Sequence, residues 1–242
     1  MPAVRLDIAY DGSGFRGFAR QPDVPTVQGK LEAVIADLTG PVDTVVAGRT
    51  DAGVHARHNV VSFSTEAEVD LRRLRRSVNS RLGPAVVVTD ASLAPDDFSA
   101  RFSATGRRYR YRLLTGDHPD PFTAGFTWWV DHELDIEAMT TAAAAFIGEQ
   151  DFTSLCRKAG DRSMVRHVRE ASWARDDRVY VYEVEASSFC HQMVRSMVAI
   201  CVDAGRGRID PASVPEILGA LDRQAGRGVA PPHGLTLWEV AY

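Results

Sequence analysis

Ala47-Gly48-Arg49-Thr50-Asp51-Ala52-Gly53-Val54-His55-Ala56 is a short polar stretch set between two apolar β-type runs. Val42 to Val46 reads as a strand entering it, and Val60, Val61 and Phe63 mark a strand leaving it. Asp51 therefore falls at the apex of a loop carried by a rigid scaffold. Gly48 and Gly53 flank the aspartate where a backbone needs positive φ or close approach to a ligand. Arg49 is open to two readings, a local ion pair that fixes a turn or a contact with a substrate.

Working outward towards the N-terminus, Val4, Leu6, Ile8 and Tyr10 recur at period two and predict a strand over residues 3 to 10, ending at Asp11-Gly12. Gly12-Ser13-Gly14-Phe15-Arg16-Gly17 then satisfies G-x-G-x-x-G behind a strand, the pattern of a dinucleotide-binding oxidoreductase. That motif has to open directly into a helix so that its amides face a pyrophosphate. Pro22 and Pro25 intervene, and helical periodicity begins only at Thr26, so the dinucleotide reading is set aside. Thr26 is placed to cap a helix with Val27, Leu31, Val34, Ile35 and Leu38 on one face.

On the other side of the loop, Asp70 caps a predicted helix with Leu71, Leu74, Val78 and Leu82 inward. Arg72, Arg73, Arg75 and Arg76 lie outward, as a solvated face or a phosphate contact. Residues 85 to 90 and 106 to 114 read as strands. In the second, Arg108, Arg110 and Arg112 share one face, and Arg107, Tyr109, Tyr111 and Leu113 the other. Tyr109 is by default a core aromatic. A turn-rich connector, Asp117 to Pro121, leads to a short strand over 126 to 130. Asp135 then caps a helix burying Ile136, Met139, Ala143, Phe146 and Ile147, with Gly148 as its stop. Residues 165 to 173 and 179 to 186 are strands joined at Asp176-Asp177. Phe189 to Arg195 opens a long helix with a buried stripe of Phe189, Met193, Met197, Ile200 and Cys201, and Arg195 lies off its centre. A helix over 211 to 221 tolerates Pro215 in its first turn. A loop and a last strand follow from Pro231.

Composition is that of an ordinary globular protein, 45% hydrophobic and 25% charged. Apolar stretches stop well short of the ~20 residues needed to cross a bilayer, and Met1 to Arg5 has no signal-peptide pattern. The expectation is a cytoplasmic protein without membrane attachment. Cys156, Cys190 and Cys201 form no C-x-x-C pair, which excludes a zinc ribbon and a disulfide framework and predicts buried thiols. The net charge of −4 weighs against a nucleic-acid partner. Against that, Arg101, Arg107, Arg108, Arg110 and Arg112 cluster in one segment, and Lys30 and Lys158 are the only lysines. His55 and His58 stand near Asp51, but no further convergent ligands complete a zinc site, so no metal is expected.

AGRTDAGVHA resembles the catalytic motif of the TruA-type tRNA pseudouridine synthases. Further stretches are similar to the same family: Tyr10 to Glu32, Ala100-Arg101-Phe102-Ser103-Ala104-Thr105 with Arg107-Arg108-Tyr109-Arg110-Tyr111, Gly148 to Ser154, Phe189 to Arg195, and Pro231 to Leu237. Phe18-Ala19 departs from the family's usual Trp-Gln. The resemblance implies an α/β (α+β) fold of two related lobes, whose antiparallel and mixed sheets join across a central RNA-binding cleft with helices on the outer faces. Their expected spans are 1–104, carrying the Asp51 loop, and 105–242. It further implies an isomerase that converts uridine to pseudouridine at positions 38, 39 and 40 of the tRNA anticodon stem-loop, acting as a homodimer without a cofactor. In that reading Asp51 is nucleophile or base, and Arg195 positions it. Tyr109, Arg49 and Leu235 contact the substrate, and Arg20, Arg107, Arg108 and Arg110 contact RNA. The competing expectation is a non-catalytic RNA-binding protein. The joint presence of Asp51, Tyr109 and Arg195, each in its own motif, speaks against it.

Overall fold

The computed structural model describes residues 3–157 and 163–242, so Lys158 lies outside the described residues. The fold is mixed α/β. In chain order its elements are β1 (Ala3–Tyr10), α1 (Val27–Thr39), β2 (Val45–Val46), β3 (His55–Phe63), α2 (Leu71–Leu82), β4 (Val86–Ala94) and β5 (Gly106–Thr115). There follow β6 (Trp128–Val130), α3 (Ile136–Ala144), β7 (Gly148–Asp151), β8 (Val165–Asp176), β9 (Val179–Ala186), α4 (Met193–Gly205), α5 (Val214–Gly219) and β10 (Leu235–Ala241). Two compact units result. One takes in the chain up to Arg107 together with Thr236–Tyr242, and the other is Arg108–Leu235.

In the first unit the strand order is β4-β1-β3-β10. The alternation of β1 buries Val4, Leu6, Ile8 and Tyr10, and the strand runs antiparallel to both β3 and β4. β3 has β2 antiparallel at Val61–Ser62 and β10 parallel at His55–Ala56. The C-terminal strand is tied here by more than its ladder. Val240 N–H donates to His58 Nδ1 at 3.3 Å, and the Tyr242 hydroxyl donates to the Ala100 carbonyl at 2.8 Å.

Both helices of this unit start as expected. Thr26 accepts from Gly29 N–H and Asp70 from Arg73 N–H, each satisfying one orphan amide of a first turn. Val27, Leu31, Val34 and Ile35 are buried, and so, unexpectedly, is Glu32. Its carboxylate accepts from Thr44 N–H at 3.0 Å, Thr44 Oγ1 at 2.8 Å, Gln28 Nε2 at 3.0 Å and Arg20 Nη1 at 3.1 Å. That network makes its burial affordable and anchors the segment entering β2 to α1. Asn79 of α2 binds both backbone groups of Val88 in β4, donating at 3.0 Å and accepting at 2.7 Å.

In the second unit the order is β5-β9-β8-β7, with β6 parallel to β5. β7 and β9 are antiparallel to β8. α3 packs on α4 and on β8. The arginines on the open face of β5 meet acids of β9. Arg108 donates to Glu185 at 2.6 Å, Arg110 pairs with Glu183, and Arg169 of β8 reaches Glu185 at 3.1 Å.

Several expected boundaries move. The strand over Val42 to Val46 reduces to Val45–Val46, because Thr44 is held by Glu32 instead of by a ladder. The strand over 126 to 130 begins only at Trp128. α3 stops at Ala144, leaving Ile147 45% exposed, and Gly148 at φ +105° opens β7 in place of a helix-terminal loop. α4 begins at Met193, since Gln192 sits in the left-handed region at φ 67°, so Phe189 precedes the helix. Cys190 is partly exposed, whereas Cys156 and Cys201 are buried.

Thr26→Ala removes the cap of α1 and is expected to lower unfolding stability by about 1 kcal/mol in urea titrations. The Arg108 hydrogen bond holds the Glu185 carboxyl below its ordinary value of 4.5, with Arg169 adding to the effect. The unfolded chain therefore binds that proton more readily. The contribution of Glu185 is fully present above the ordinary value and is lost as pH falls through the lowered one. Glu185→Gln is expected to flatten the acid limb of a plot of melting temperature against pH.

Candidate active site

The Asp51 loop joins β2 to β3 and has no regular structure of its own, yet hydrogen bonds hold Ala47, Gly48, Thr50, Asp51 and Val54. Ala47 N–H continues the β2–β3 ladder to the Val60 carbonyl at 2.9 Å. Gly48 is held on both backbone groups by the side chain of Asn59, which accepts from its N–H at 3.2 Å and donates to its carbonyl at 2.8 Å. The Thr50 carbonyl accepts from Phe18 N–H at 3.0 Å, and its hydroxyl meets Tyr10 Oη at 2.9 Å. The Asp51 carbonyl accepts from Val54 N–H at 3.1 Å, closing a turn in which Gly53 takes φ +78°. The positive φ expected at the flanking glycines thus falls on Gly53. Asp51 itself is half-buried and Arg49 is exposed. The result is a carboxylate in partial contact with solvent on a backbone held by hydrogen bonds on both sides of it.

The glycines of the G-x-G-x-x-G stretch explain how this is achieved. A Cβ on Gly12 would stand 2.0 Å from the Val54 carbonyl oxygen. Gly17, at φ +95°, would put one 3.1 Å from the Thr50 carbonyl oxygen. The stretch serves close approach of one loop to another, and the helix that follows starts only at Val27. Gly12 N–H also donates to His55 Nδ1 at 3.1 Å, which engages that ring within the loop packing. Among the described residues no cluster of three or more His, Cys, Asp or Glu side chains is placed to hold a metal ion. Phe18 is fully buried with its ring centroid 6.0 Å from that of Tyr10.

Of the arginines expected on RNA, Arg107 has a different setting. It is only 9% exposed, and its guanidinium donates to the carbonyls of Ala47 at 3.0 Å, Arg101 at 2.9 Å and Ala104 at 3.3 Å. A buried cation gathering carbonyls is a clamp on the start of the Asp51 loop. Arg20 is exposed and bridges Glu32 and Asp43, and Arg108 and Arg110 lie in the β5–β9 charge ladder.

In the second unit Tyr109 is 8% exposed, and the Phe189 ring meets it edge-on with centroids 5.0 Å apart. Tyr111 is fully buried and donates to the Pro231 carbonyl at 2.8 Å, while Gly234 leaves room for its ring, 2.6 Å from where a Cβ would stand. Burial pushes the Tyr111 phenol far up, an effect that the nearby Arg195 charge only partly offsets. Arg195, in the first turn of α4, is aimed by its own backbone partner. Nε donates to the Ala230 carbonyl at 2.7 Å, and Ala230 N–H donates to the Arg195 carbonyl at 3.1 Å. Leu235, at the head of β10, is 5% exposed. The segment 230–235 thereby organises Arg195, Tyr111 and Leu235 together. Asn59 and Tyr10 escaped the sequence reading as contributors to the site. The available signal was a polar residue at the head of the apolar run Asn59-Val60-Val61.

The family model described as tRNA pseudouridine synthase matches residues 8–103 and 142–242. A protein named tRNA pseudouridine synthase A from Streptomyces griseus subsp. griseus is 43% identical, covering 99% of this chain and 87% of that protein. One of the same name from Leifsonia xyli subsp. xyli is 42% identical, covering 98% and 91%. Among solved structures, the archaeal box H/ACA sRNP Nop10–Cbf5 complex aligns with 83% of this chain and 43% of that chain, at 15% identity and a TM-score of 0.35. With the fixed Asp51 loop and the match over most of its length, the chain belongs to the tRNA pseudouridine synthase family.

Proposed function

We propose that this protein isomerises uridine to pseudouridine at positions 38, 39 and 40 of the tRNA anticodon stem-loop, with Asp51 as the catalytic carboxylate. The observation that carries the reading is the immobilised backbone around a half-buried aspartate within GRTDAGVHA. The reaction breaks the bond from C1′ of the ribose to N1 of uracil and forms one from C1′ to C5. The proton on C5 is lost and N1 gains one, so the change is redox-neutral. Asp51 begins it either as nucleophile at C1′ or as a base that leads to a glycal.

The roles of the other residues rest on the motifs that carry them. Arg195 serves to position Asp51, a task suited to a guanidinium whose Nε is already anchored on Ala230. Tyr109 offers an aromatic face to the extruded uracil, with Leu235 and Arg49 as further substrate contacts. Taking a base out of its stack costs roughly a few kcal/mol, and aromatic contact of this kind offsets it. Arg20, Arg108 and Arg110 keep side-chain surface for phosphates despite their acidic partners, at 60%, 33% and 33% exposure. Arg107 acts from beneath the loop instead. A homodimer working in the cytoplasm completes the proposal. Among the described residues no helix is long and apolar enough to cross a membrane.

Unmodified tRNA bearing uridine at positions 38 to 40 is the substrate for the test. Wild-type protein is expected to yield pseudouridine at those sites on chemical mapping, and Asp51→Ala to yield none while still binding the tRNA. Tight binding by wild type with every uridine unchanged would replace the enzyme with a non-catalytic RNA-binding protein.

A further inference from the structure

We infer that Asn59 and Tyr10 are positioning residues for Asp51, acting through the Gly48 peptide and the Thr50 hydroxyl; the inference rests on the synthase reading. Neither side chain lies in the motif that carries the aspartate. Asn59 is fully buried on β3, and its amide has every hydrogen-bonding position filled. Oδ1 accepts from Gly48 N–H at 3.2 Å and Val60 N–H at 2.9 Å. Nδ2 donates to the Gly48 carbonyl at 2.8 Å and to Tyr10 Oη at 3.2 Å. The two backbone N–H groups also settle which end of the amide is oxygen.

The position of this amide explains its use. The backbone ladder between β2 and β3 ends with Ala47 N–H on the Val60 carbonyl. Beyond it the chain leaves the sheet to form the Asp51 loop, and Gly48 has no strand to pair with. The Asn59 side chain supplies the missing rung, holding Gly48 as a neighbouring peptide would.

Tyr10 carries the constraint two residues further. Oη accepts from Asn59 Nδ2 and shares a hydrogen bond with Thr50 Oγ1, 2.9 Å away, in which either hydroxyl can donate. Burial pushes this phenol up to about 12, so the hydroxyl keeps its proton throughout the neutral range. Thr50 is thus fixed by its side chain, and by its carbonyl on Phe18 N–H, immediately before Asp51. The chain of hydrogen bonds links Asn59 to Tyr10 and Tyr10 to Thr50. An apolar side chain at any of the three positions would interrupt it without touching substrate.

The experiment compares wild type, Tyr10→Phe, Thr50→Val and the double variant in single-turnover pseudouridine formation, with tRNA binding and melting temperature measured alongside. Both substitutions keep shape and remove one hydroxyl. Expected is a fall in the chemical rate of roughly tenfold to a hundredfold for Tyr10→Phe, the scale of a misplaced reacting group, with tRNA affinity within about twofold of wild type. The double variant is expected to be no slower than the worse single one, because both break the same chain. An unchanged rate for folded Tyr10→Phe, a loss confined to tRNA affinity, or additive losses in the double variant would each overturn the inference while leaving the enzyme reading intact. If Thr50→Val does not fold, Tyr10→Phe decides alone on its rate and affinity. Inactive wild type across several tRNAs would overturn the enzyme reading and this inference with it.

Discussion

The close approach of two irregular loops, Gly12 to Phe18 against Thr50 to Val54, is the constraint on which the site in the first unit depends. At Gly12 the gap admits no side chain at all, since a Cβ would stand 2.0 Å from the Val54 oxygen. Loops this near to one another must find partners for their backbone groups, and two of these N–H groups do so across the gap or beside it. Phe18 N–H goes to the Thr50 carbonyl, and Gly12 N–H to His55. A segment that would otherwise move freely becomes as well determined as a strand. Order of that kind suits the role proposed for Asp51.

Charge is handled by pairing as much as by accumulation. The arginine-rich segment from Arg101 to Arg112 suggests a broad cationic surface when read linearly. In the fold, Arg107 turns inward to carbonyls, and Arg108 and Arg110 meet Glu183 and Glu185. Part of the charge of the segment is therefore met by acids of β9. Fixed guanidinium groups with acidic partners also present their remaining donors in defined directions, which favours geometry over mere attraction.

Much of the architecture was legible from local chemistry. β1 follows from strict alternation, α1 from Thr26 and its apolar face, α2 from Asp70, and α3 from Asp135, because caps and periodicity act over a few residues. Boundaries failed where distant groups intervened. Glu32 captures Thr44 and shortens β2, and the left-handed Gln192 delays α4. Among the candidate residues, Asp51, Tyr109 and Arg195 stood out because each sits in a recognisable motif. Asn59 and Tyr10 did not, since their partners lie 11 and 40 residues away in sequence.

By itself the sequence determined the family, the candidate aspartate and most of the order of helices and strands, β7 excepted, since these are written in short runs of neighbouring residues. Only the tertiary structure decided what the glycine-rich stretch is for, where Arg107 points, and which buried side chains hold the Asp51 loop. Those outcomes depend on which backbone groups are left without a partner once the sheet has formed, and that is settled by contacts between residues far apart in the chain.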